Sequence, residues 1–371
     1  MKEYRVWAEV NLGAFRHNFS AVQRHISTST KILAVVKADA YGHGAVAIAK
    51  EAFAAGAIMV GVGDSSEALE LRESGITGPI LILGAIIEEE IPRVIKYDIA
   101  TTIHSVDFLP RLNQEAREQN KRMKVHLKID TGMGRLGALP KSALEIAKEI
   151  EKFQNLELAG INTHLSTVAS GNIAHTEEQL AKFKEVLGEL TNAGIKPQFI
   201  HAANSAATFS SKSSHFNMVR LGIALYGLDP GIFSKNGFKL EPVLTLKTKV
   251  AFLKGATEGS YIGYDQKYKI ARNTMIATCP VGYNDGYPYL LSNKATVLVK
   301  GKRAPLVGTV TMDYIMVDVG DIPDIKVGDE VTLIGKDGDG RIKVEELAGH
   351  IGTIPYEITC ALGKRVRRVY V

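Results

Sequence analysis

A lysine at the end of an apolar run is the residue of this chain best suited to covalent chemistry. Residues 31–44 read KILAVVKADAYGHG, so a short apolar run stops at Lys37 and passes into a segment with two glycines. Such a run is typical of a buried parallel strand, whose carboxyl end would keep the lysine partly out of water. Burial lowers the proton affinity of an amine, and a neutral amine can form a Schiff base with an aldehyde. The flanking pattern therefore favours a nucleophilic Lys37 over a solvated lysine that merely ends a strand.

The first two-thirds of the chain alternates strand-like and helix-like patterns. Eight β-then-α units of this length predict a parallel (β/α)8 barrel of the TIM type, with an open doubly wound sheet as the structural alternative. The predicted strands are Ile32–Val36, Met59–Gly63, Ile80–Leu83, Ala100–Ile103, Lys124–Ile129, Glu157–Thr163, Gln198–His201 and Asn217–Arg220. The predicted helices between them include Ala45–Ala55, Glu67–Ser74, Leu109–Asn120, Lys141–Lys152 and Thr176–Asn192.

The barrel makes a geometric prediction about the polar residues near the strand ends. Parallel barrel strands all end at the same face, which is where such barrels keep their chemistry. We expect one mouth to gather Lys37, Leu83, Lys128, Arg135, His164, Asn204, Arg220 and Gly222.

The pattern changes after about residue 237. Strand-like runs parted by glycine-rich turns predict a mostly antiparallel β domain, interrupted by one helix near Val344–His350. The predicted strands are Val243–Phe252, Met275–Cys279, Ala295–Val299, Tyr314–Val319, Glu330–Ile334 and Val366–Val371. We divide the chain into a barrel at 11–237 and a β domain at 238–371, which the strand within residues 1–10 joins.

The composition fits an ordinary soluble globular protein. A chain of 371 residues is longer than one hydrophobic core usually serves, and 45% hydrophobic with 23% charged residues is typical of soluble proteins. A net charge of +5 without a block of like charge does not suggest nucleic-acid binding. Two cysteines, no signal-peptide pattern and no apolar run of spanning length predict a cytoplasmic protein without a membrane partner.

Metal chemistry is not predicted. The ten histidines include no His-x-x-x-His pair, and the two cysteines form no Cys-x-x-Cys pair, so zinc ligands at useful spacing are missing. His17, His25, His104 and His215 are interpreted as surface or cap residues.

Seven segments in one order give the chain a family resemblance. Together they resemble the alanine racemase family, whose members have the barrel-plus-β-domain fold and use pyridoxal 5'-phosphate. The segments are KILAVVKADAYGHG at 31–44, KIDTGMGRLG at 128–137, HAANSAA at 201–207, FNMVRLGI at 216–223, PVGYNDG at 280–286, GTVTMD at 308–313 and TIPYE at 353–357.

The resemblance implies a two-base racemisation of L-alanine and D-alanine. Lys37 would hold the cofactor and act as one acid/base, and Tyr264 would act as the other from the opposite face. In the family this tyrosine comes from the partner subunit, so a homodimer with shared active sites is implied. A tyrosine is a weak base at its ordinary pKa, so His164, with Arg220 behind it, would stabilise the Tyr264 anion.

The resemblance also assigns the binding residues. Arg220 would donate to the ring nitrogen of the cofactor, which must then accept and stay unprotonated, because a guanidinium only donates. Arg135, Met312 and Tyr283 would bind the substrate, and Lys128 matches a position that carries a carbamate in many members. The implied cofactor-binding residues are Lys37, Tyr41, Leu83, Arg135, His164, Asn204, Ser205, Arg220, Gly222, Ile223 and Tyr356.

The chain departs from the family pattern beside the second base. Asp265 stands where the family usually has glycine and Lys267 where it has threonine, so charge is added next to Tyr264. Tyr268 remains a second candidate for the base. These changes leave the substrate open between alanine and serine or a broader range of amino acids.

Two other functions remain as alternatives. A barrel-type decarboxylase also uses a lysine Schiff base, and a non-catalytic pyridoxal-phosphate carrier consists of a barrel alone. Arg220 and Tyr264 argue against the first, and the long β domain argues against the second. By implication of the family, the product D-alanine would be a peptidoglycan precursor, or D-alanine would be broken down.

Overall fold

The computed structural model describes residues 4–371. Its strands are β1 (Val6–Val10), β2 (Lys31–Val35), β3 (Met59–Val62), β4 (Ile80–Ile82), β5 (Ala100–Ile103), β6 (Met123–Lys128), β7 (Leu156–Asn162), β8 (Phe199–His201), β9 (Met218–Leu221), β10 (Leu244–Lys249), β11 (Phe252–Ala256), β12 (Tyr261–Ile262), β13 (Tyr268–Lys269), β14 (Thr274–Cys279), β15 (Thr296–Val299), β16 (Lys302–Pro305), β17 (Ile315–Asp318), β18 (Glu330–Asp337), β19 (Gly340–Ile342) and β20 (Arg367–Tyr370). Its α-helices are α1 (Leu12–His25), α2 (Lys37–Gly42), α3 (Ala45–Ala55), α4 (Ser65–Glu73), α5 (Ile91–Lys96), α6 (Leu109–Glu118), α7 (Ala143–Lys152), α8 (Ile173–Asn192), α9 (Ser205–Ser210), α10 (Val344–Ile351) and α11 (Pro355–Cys360).

Strands β2 to β9 form the predicted barrel. They pair in parallel in the order β8-β7-β6-β5-β4-β3-β2-β9, so all eight predicted barrel strands are confirmed. Strands β8 and β9 are the two edges, and they meet through side-chain and backbone bonds. The Ile200 amide donates to Asn217 Oδ1 at 2.7 Å, and the Arg220 amide donates to the Ala203 carbonyl at 3.0 Å. The open doubly wound sheet is therefore excluded.

The barrel interior has an apolar side and a polar side. Side chains alternate between the two faces of a strand, so every second residue of each barrel strand points inward. Leu33, Met59, Leu81 and Met218 form a small buried apolar cluster of their own, separate from the main core. The buried polar side chains His126, Lys128, Asn162, His201 and Arg220 come from β6 to β9. This polar side faces the predicted catalytic mouth.

The outer helices bury one face against the strands. In α7 the buried residues Ala143, Ile146, Ala147 and Ile150 recur at the helical spacing, while lysine and glutamate lie between them. This amphipathic pattern places one stripe on the barrel and leaves the other in water. The main hydrophobic core therefore lies between the barrel strands and these helices, and it continues into the β domain.

The second part of the chain forms the predicted β domain. Its largest sheet has seven strands in the order β16-β15-β18-β10-β1-β20, with β19 paired to β18. Strand β1 pairs antiparallel with β10 and parallel with β20, so the opening strand lies in this sheet. Smaller sheets are formed by β11-β14-β17 and by the β12-β13 hairpin. The division between residues 237 and 238 stays a prediction.

Three local expectations were wrong. The single strand expected at Val243–Phe252 is two strands, β10 and β11, which belong to different sheets. His215 is buried, and its Nε2–H donates to the Thr208 carbonyl at 2.8 Å. The ring of His25 stacks on Phe209 at 5.5 Å between centroids. Periodicity does not reveal these contacts, because each depends on a residue distant in sequence.

The segment after Lys37 packs directly against the β domain. Gly42 and Gly44 both have positive φ, and a Cβ at Gly42 would overlap the Thr359 carbonyl in α11. Arg368 on β20 donates from Nε to the Gly42 carbonyl at 3.0 Å. The β domain therefore supports the barrel segment that carries Lys37. No helix within residues 4–371 is both long and apolar enough to cross a membrane.

Gly42→Ala and Gly75→Ala form a matched pair that measures this contact. Both glycines have φ of +83°, but nothing lies within 4 Å of a Cβ at Gly75. We expect Gly75→Ala to lower the free energy of unfolding by about 1–2 kcal/mol from backbone strain alone. Gly42→Ala should cost a further ~1–3 kcal/mol because it also displaces the α11 backbone. Denaturant unfolding checks this, and equal losses for both variants would contradict a supporting role of the β domain.

Candidate active site

Lys37 begins α2, whose backbone forms a left-handed turn instead of an ordinary right-handed α-helix. Residues Ala38, Asp39, Ala40 and Tyr41 have φ between 52° and 55°, in the left-handed region that side chains rarely adopt. Each such residue costs of the order of 1–2 kcal/mol, so the surroundings must hold the turn in place. The sequence predicted only a short loop here, because no glycine marks the four strained positions.

Several polar groups brace this turn. Asp39 Oδ1 accepts from the Ala45 amide at 2.8 Å, and the Nδ1 atom of buried His43 lies 2.9 Å from the carbonyls of both Ala40 and Tyr41. Burial lowers the pKa of His43 to about 4, so the ring is neutral and Nδ1–H is the donor. The left-handed turn is thereby closed by its own side chains.

Glu67 is a residue that the sequence interpretation missed. Its Oε1 accepts from the Ala38 amide at 2.6 Å and its Oε2 accepts from the Gly63 amide at 2.7 Å. The carboxylate thus ties the turn after β2 to the end of β3. Burial raises the pKa of Glu67, although both amide donors oppose the shift. A glutamate in the first turn of a helix normally suggests only a helix terminus, so no sequence signal pointed to this role.

The amine of Lys37 lies in an environment that favours its neutral form. Burial, followed by the positive charge of Arg135, lowers the pKa of Lys37, while Glu67 opposes the shift. A lysine with a lowered pKa is a better nucleophile near neutral pH. The structure therefore gives Lys37 the property expected from the sequence.

A cup of small residues and hydroxyl groups lies beside the turn. Ser205 Oγ accepts from the Gly222 amide at 3.0 Å and from the Ala224 amide at 3.3 Å. A Cβ at Gly222 would lie 2.5 Å from the Tyr41 hydroxyl, so only glycine fits beneath that tyrosine. Burial raises the pKa of Tyr41, which keeps its hydroxyl protonated and able to donate. The Gly222 and Ala224 amides are thus already paired, and the hydroxyl hydrogens of Ser205 and Tyr41 remain as donors that suit a phosphate group.

The remaining residues predicted for the cup surround it. The Tyr356 ring lies edge-on to the Tyr41 ring with 6.5 Å between centroids. Ile223 is half-buried in the segment that follows β9, and Leu83 lies at the end of β4 against Gly61. These residues come from four separate parts of the chain, as the predicted convergence requires.

Asn204 has both of its side-chain groups engaged. Its Oδ1 accepts from the Ala207 amide at 3.0 Å and caps α9, and its Nδ2 donates to the Leu165 carbonyl at 3.0 Å. The Asn204 side chain therefore fixes the start of α9, and with it the position of Ser205. A direct bond from this side chain to a ligand would require it to give up one of these contacts.

Arg220 is a buried cation held by neutral acceptors. Its Nη2 donates to the carbonyls of Thr163 at 2.7 Å and Ala202 at 2.9 Å, and its Nη1 donates to the His201 carbonyl at 2.8 Å. Within residues 4–371 it forms no ion pair with a carboxylate. Burial lowers the pKa of Arg220 to about 10, so the guanidinium stays charged at neutral pH. The hydrogen bonds of the Arg220 side chain within residues 4–371 use only Nη1 and Nη2, and Nε remains as a further donor.

Two histidines continue from Arg220 into the barrel. Arg220 Nη1 lies 3.0 Å from His201 Nδ1, and His201 Nε2 lies 2.9 Å from His126 Nδ1. Because a guanidinium only donates, His201 Nδ1 must accept, so the proton of neutral His201 is on Nε2. That proton is donated to His126 Nδ1, which places the His126 proton on Nε2. Burial lowers the pKa of both rings, that of His126 to about 3, so both are neutral.

His164 accepts from the same guanidinium. Arg220 Nη2 lies 3.3 Å from His164 Nδ1, which must be the acceptor. Burial, and then the charge of Arg220, lowers the pKa of His164 well below its usual value, so the ring is neutral with its proton on Nε2. His164 can therefore donate from Nε2 to a negatively charged oxygen. The sequence predicted this pairing of His164 with Arg220.

Lys128 and Arg135 bring further positive charge to the mouth. Burial, followed by Arg220, Arg135 and Lys37, lowers the pKa of Lys128 to about 8. Arg135 is exposed, and its guanidinium forms no ion pair with any residue from 4 to 371. The site therefore has an excess of cationic groups and is suited to an anionic ligand.

His104 does not lie at the surface, as the sequence interpretation expected. Both of its ring nitrogens are buried and have no hydrogen-bond partner within residues 4–371. Burial, and then the charge of Lys128, lowers its pKa. His104 directly follows β5, so it belongs to the barrel mouth.

The residues predicted on the β domain lie on its surface. Tyr264 is 68% exposed, Met312 is 53% exposed and Tyr283 is 46% exposed. Tyr268 instead packs against the small apolar cluster of Ile262 and its neighbours. Between the two tyrosines, Asp265 and Lys267 form an ion pair at 3.2 Å, so the two added charges offset each other. Tyr264 is thus the tyrosine of this segment that projects from the molecule.

Family models match both parts of this architecture. A model described as alanine racemase, N-terminal domain, matches residues 10–230. A second, described as alanine racemase, C-terminal domain, matches residues 243–370. The chain belongs to the alanine racemase family.

Individual alanine racemases match along their whole length. The alanine racemase of Halothermothrix orenii is 42% identical over 364 residues, which are 98% of this chain and 96% of that protein. The structure of the alanine racemase of Clostridium difficile 630 has a TM-score of 0.95 at 37% identity and covers 100% of this chain and 97% of that one. The alanine racemase of Bartonella henselae with covalently bound pyridoxal phosphate has a TM-score of 0.86 at 31% identity and covers 99% of both chains.

The comparisons confirm three predictions from the sequence. The resemblance seen in the sequence reflects membership of the alanine racemase family. The predicted barrel with a β domain is the fold of solved alanine racemase structures. The predicted enzyme class, an amino-acid racemase, is confirmed at the level of the alanine racemase family. The roles of individual residues stay predictions.

Glu67→Gln tests the support of the Lys37 turn. An amide offers one oxygen instead of two, so either the Ala38 amide or the Gly63 amide loses its acceptor, at a cost of about 1–3 kcal/mol. We expect amide hydrogen exchange in a peptide covering residues 36–42 to become about 10- to 100-fold faster. Glu70→Gln, an exposed change on the same helix, is the control. Unchanged exchange in Glu67→Gln would show that the turn does not depend on this carboxylate.

The reactivity of Lys37 tests its lowered pKa. Only the neutral amine reacts with an acylating reagent, so in the cofactor-free protein Lys37 should react at lower pH than the exposed Lys184. Arg135→Gln removes a positive charge and should shift the Lys37 profile towards higher pH. Mass spectrometry of the labelled peptides measures both lysines in one sample. Coincident profiles for the two lysines would contradict the electrostatics described above.

Proposed function

We propose that this protein interconverts L-alanine and D-alanine with pyridoxal 5'-phosphate held at Lys37. The observation that carries the proposal is the meeting of Lys37, the Ser205–Gly222 cup and the buried guanidinium of Arg220 at one barrel mouth. Lys37 supplies an amine, the cup would bind a phosphate, and Arg220 would bind a ring nitrogen. Relatives along the full chain are named alanine racemases, which supports alanine as the substrate.

The residues present fit such a cofactor. The space above Gly222, which a Cβ would fill, and the protonated Tyr41 hydroxyl suit the phosphate, with Ile223 and Tyr356 at its border. Leu83 offers an apolar contact for the ring. Arg135 would reach the phenolic oxygen, since its guanidinium pairs with no carboxylate in the described chain. One related structure is described with covalently bound pyridoxal phosphate.

When bound, the group draws electrons from the α-carbon of an attached amino acid and so acidifies its proton. Arg220 would limit the strength of this electron withdrawal. Its remaining donor, Nε, can donate a hydrogen bond to a ring nitrogen but cannot protonate that nitrogen fully at neutral pH. The three backbone carbonyls and two histidines around Arg220 keep the guanidinium in one orientation.

Racemisation requires a base on each face of the α-carbon, because a proton returned to the same face restores the starting isomer. Lys37 Nζ would serve one face, where burial and Arg135 lower its pKa. The Tyr264 hydroxyl would serve the other. His164 Nε2–H would donate to its phenolate form, and Arg220 holds His164 in the tautomer that makes this possible.

The exposure of Tyr264 supports a shared active site. Its side chain is 68% exposed, and within residues 4–371 it forms no hydrogen bond with Lys37, His164 or Arg220. Tyr283 and Met312 are also exposed on the β domain, where Met312 would offer its amide to the substrate carboxylate. In a two-fold homodimer, each β domain would complete the barrel mouth of its partner.

Lys128 would carry a carbamate that fixes Arg135. As an ammonium, Lys128 would add a fourth cation beside Lys37, Arg135 and Arg220, which its lowered pKa of about 8 reflects. A carbamate replaces that positive charge with a negative one and gives Arg135 a partner. Arg135 is then held ready to bind the substrate carboxylate.

Proton exchange in heavy water tests the racemase proposal. Protein loaded with pyridoxal phosphate and supplied with L-alanine should lose the α-proton NMR signal while D-alanine accumulates in a chiral assay. Tyr264→Phe should abolish D-alanine formation, whereas Tyr268→Phe, the matched control, should retain it. Parallel reactions with L-serine measure the substrate range. Washout by the unaltered protein without D-alanine would contradict two-base racemisation of alanine.

Subunit mixing tests the shared site. Lys37→Ala and Tyr264→Phe homodimers should each be inactive. A heterodimer of the two would contain one intact site, so a fully exchanged equal mixture should recover about a quarter of the unaltered activity. A mixture that exchanges subunits but stays inactive would place both bases in one chain.

A further inference from the structure

The surroundings of Lys128 offer donors and cations but few acceptors. The Lys128 side chain is 6% exposed, and its Nζ makes no hydrogen bond or ion pair with any residue from 4 to 371. Arg220, Arg135 and Lys37 act on it as positive charges, and Asp130 is the one anion that opposes them. An amine in such a place is poorly stabilised as a cation, whereas an anionic group would be stabilised from several directions.

Strand register places His104 and Asn162 on either side of Lys128. On one side β5 pairs with β6, with Ile103 opposite Leu127, so His104 comes next to Lys128. On the other side β6 pairs with β7, with Lys128 opposite Asn162. Ile103, Leu127 and Ile161 face the outer core. Because successive side chains point to opposite faces of a strand, the next residues, His104, Lys128 and Asn162, face the barrel interior. Neighbouring strands are ~4.8 Å apart, which brings both side chains within reach of Lys128.

Both neighbours have polar atoms without partners. Within residues 4–371, His104 Nδ1, His104 Nε2 and Asn162 Nδ2 are buried and make no hydrogen bond. The Gly84 backbone raises the pKa of His104, but neither ring nitrogen makes a hydrogen bond to it. Each buried donor without a partner costs about 1–3 kcal/mol, so a structure that retains two of them beside one lysine suggests a missing acceptor.

We propose that His104, together with Asn162, binds and positions a carbamate on Lys128. This inference rests on the carbamate of the proposed function and adds the residues that hold it. The two carbamate oxygens would accept from the neutral His104 ring N–H and from Asn162 Nδ2, and their charge would face Arg135. His104 thus acts as a positioning residue, through the carbamate, on Arg135.

The carbamate forms from the Lys128 amine and dissolved carbon dioxide, and no other reactant is needed. The neutral Lys128 amine attacks the carbon of CO2, and a C–N bond forms as one C=O π pair becomes the charge of a carboxylate oxygen. One amine proton leaves to solvent, and no electron is gained or lost. The neutral amine that this step needs is favoured by the same burial and cations that surround Lys128. Two hydrogen bonds to the product would slow its decarboxylation.

Carbon-13 NMR of the holoenzyme in labelled bicarbonate measures the carbamate directly. The unaltered protein should show a carbamate signal that Lys128→Met lacks. His104→Phe keeps the aromatic ring but removes both nitrogens, so half-occupancy should require about 10- to 100-fold more CO2. His104→Gln, which restores a donor, should recover part of this loss. His17→Phe, a change at an exposed histidine, should match the unaltered protein.

A kinetic readout separates positioning from folding damage. In His104→Phe the KM for alanine should rise at low bicarbonate and fall back as bicarbonate is added, because Arg135 regains its partner. Equal CO2 dependence in His104→Phe and the unaltered protein would overturn the role of His104. Absence of any carbamate signal in the unaltered protein at saturating bicarbonate would overturn the inference entirely. Racemisation by that same sample would show that the proposed function stands without it.

Discussion

The buried charge of Arg220 is the constraint on which the active site depends. A guanidinium out of water and without a carboxylate is stable only when neutral acceptors surround its donors. Those acceptors are the carbonyls of Thr163, His201 and Ala202, at the ends of β7 and β8. The Arg220 amide also joins β9 to this edge through Ala203. The same strand ends therefore close the barrel and supply the acceptors of the Arg220 guanidinium, so a shift of these strands would also disturb Arg220.

A second arrangement holds Lys37, the predicted nucleophile. The left-handed turn after Lys37 is strained at four positions and is maintained by Glu67 from the barrel side and by Arg368 and α11 from the β domain. The lysine therefore depends on contacts made by distant parts of the chain. This explains why the β domain matters to a predicted cofactor site whose residues lie mostly on the barrel, with Tyr356 of α11 as the exception.

The sequence predicts the frame of this protein well and its polar details poorly. Apolar runs and turn residues locate all eight barrel strands, because burial on both faces leaves a strong local signal. Lys37, Arg220 and His164 are found from their place at strand ends and from the family pattern. Glu67 and His104 are missed, since their roles come from partners 29 residues away or from strand register. The split of 243–252 into two sheets is missed for the same reason, because long-range pairing decides it.

The hydrogen-bonded histidines beneath Arg220, His201 and His126, do not conduct protons towards the guanidinium. Each hydrogen bond is donated in the direction away from the guanidinium, from Arg220 to His201 and from His201 to His126. A proton could move towards Arg220 only if the histidine rings changed their tautomer or orientation. Burial also lowers the pKa of both rings, that of His126 to about 3, and so keeps both of them neutral. Acidification of the surroundings therefore does not reach the centre of the barrel by this route. The hydrogen bond from Arg220 to His201 therefore stays the same when the solvent becomes more acidic.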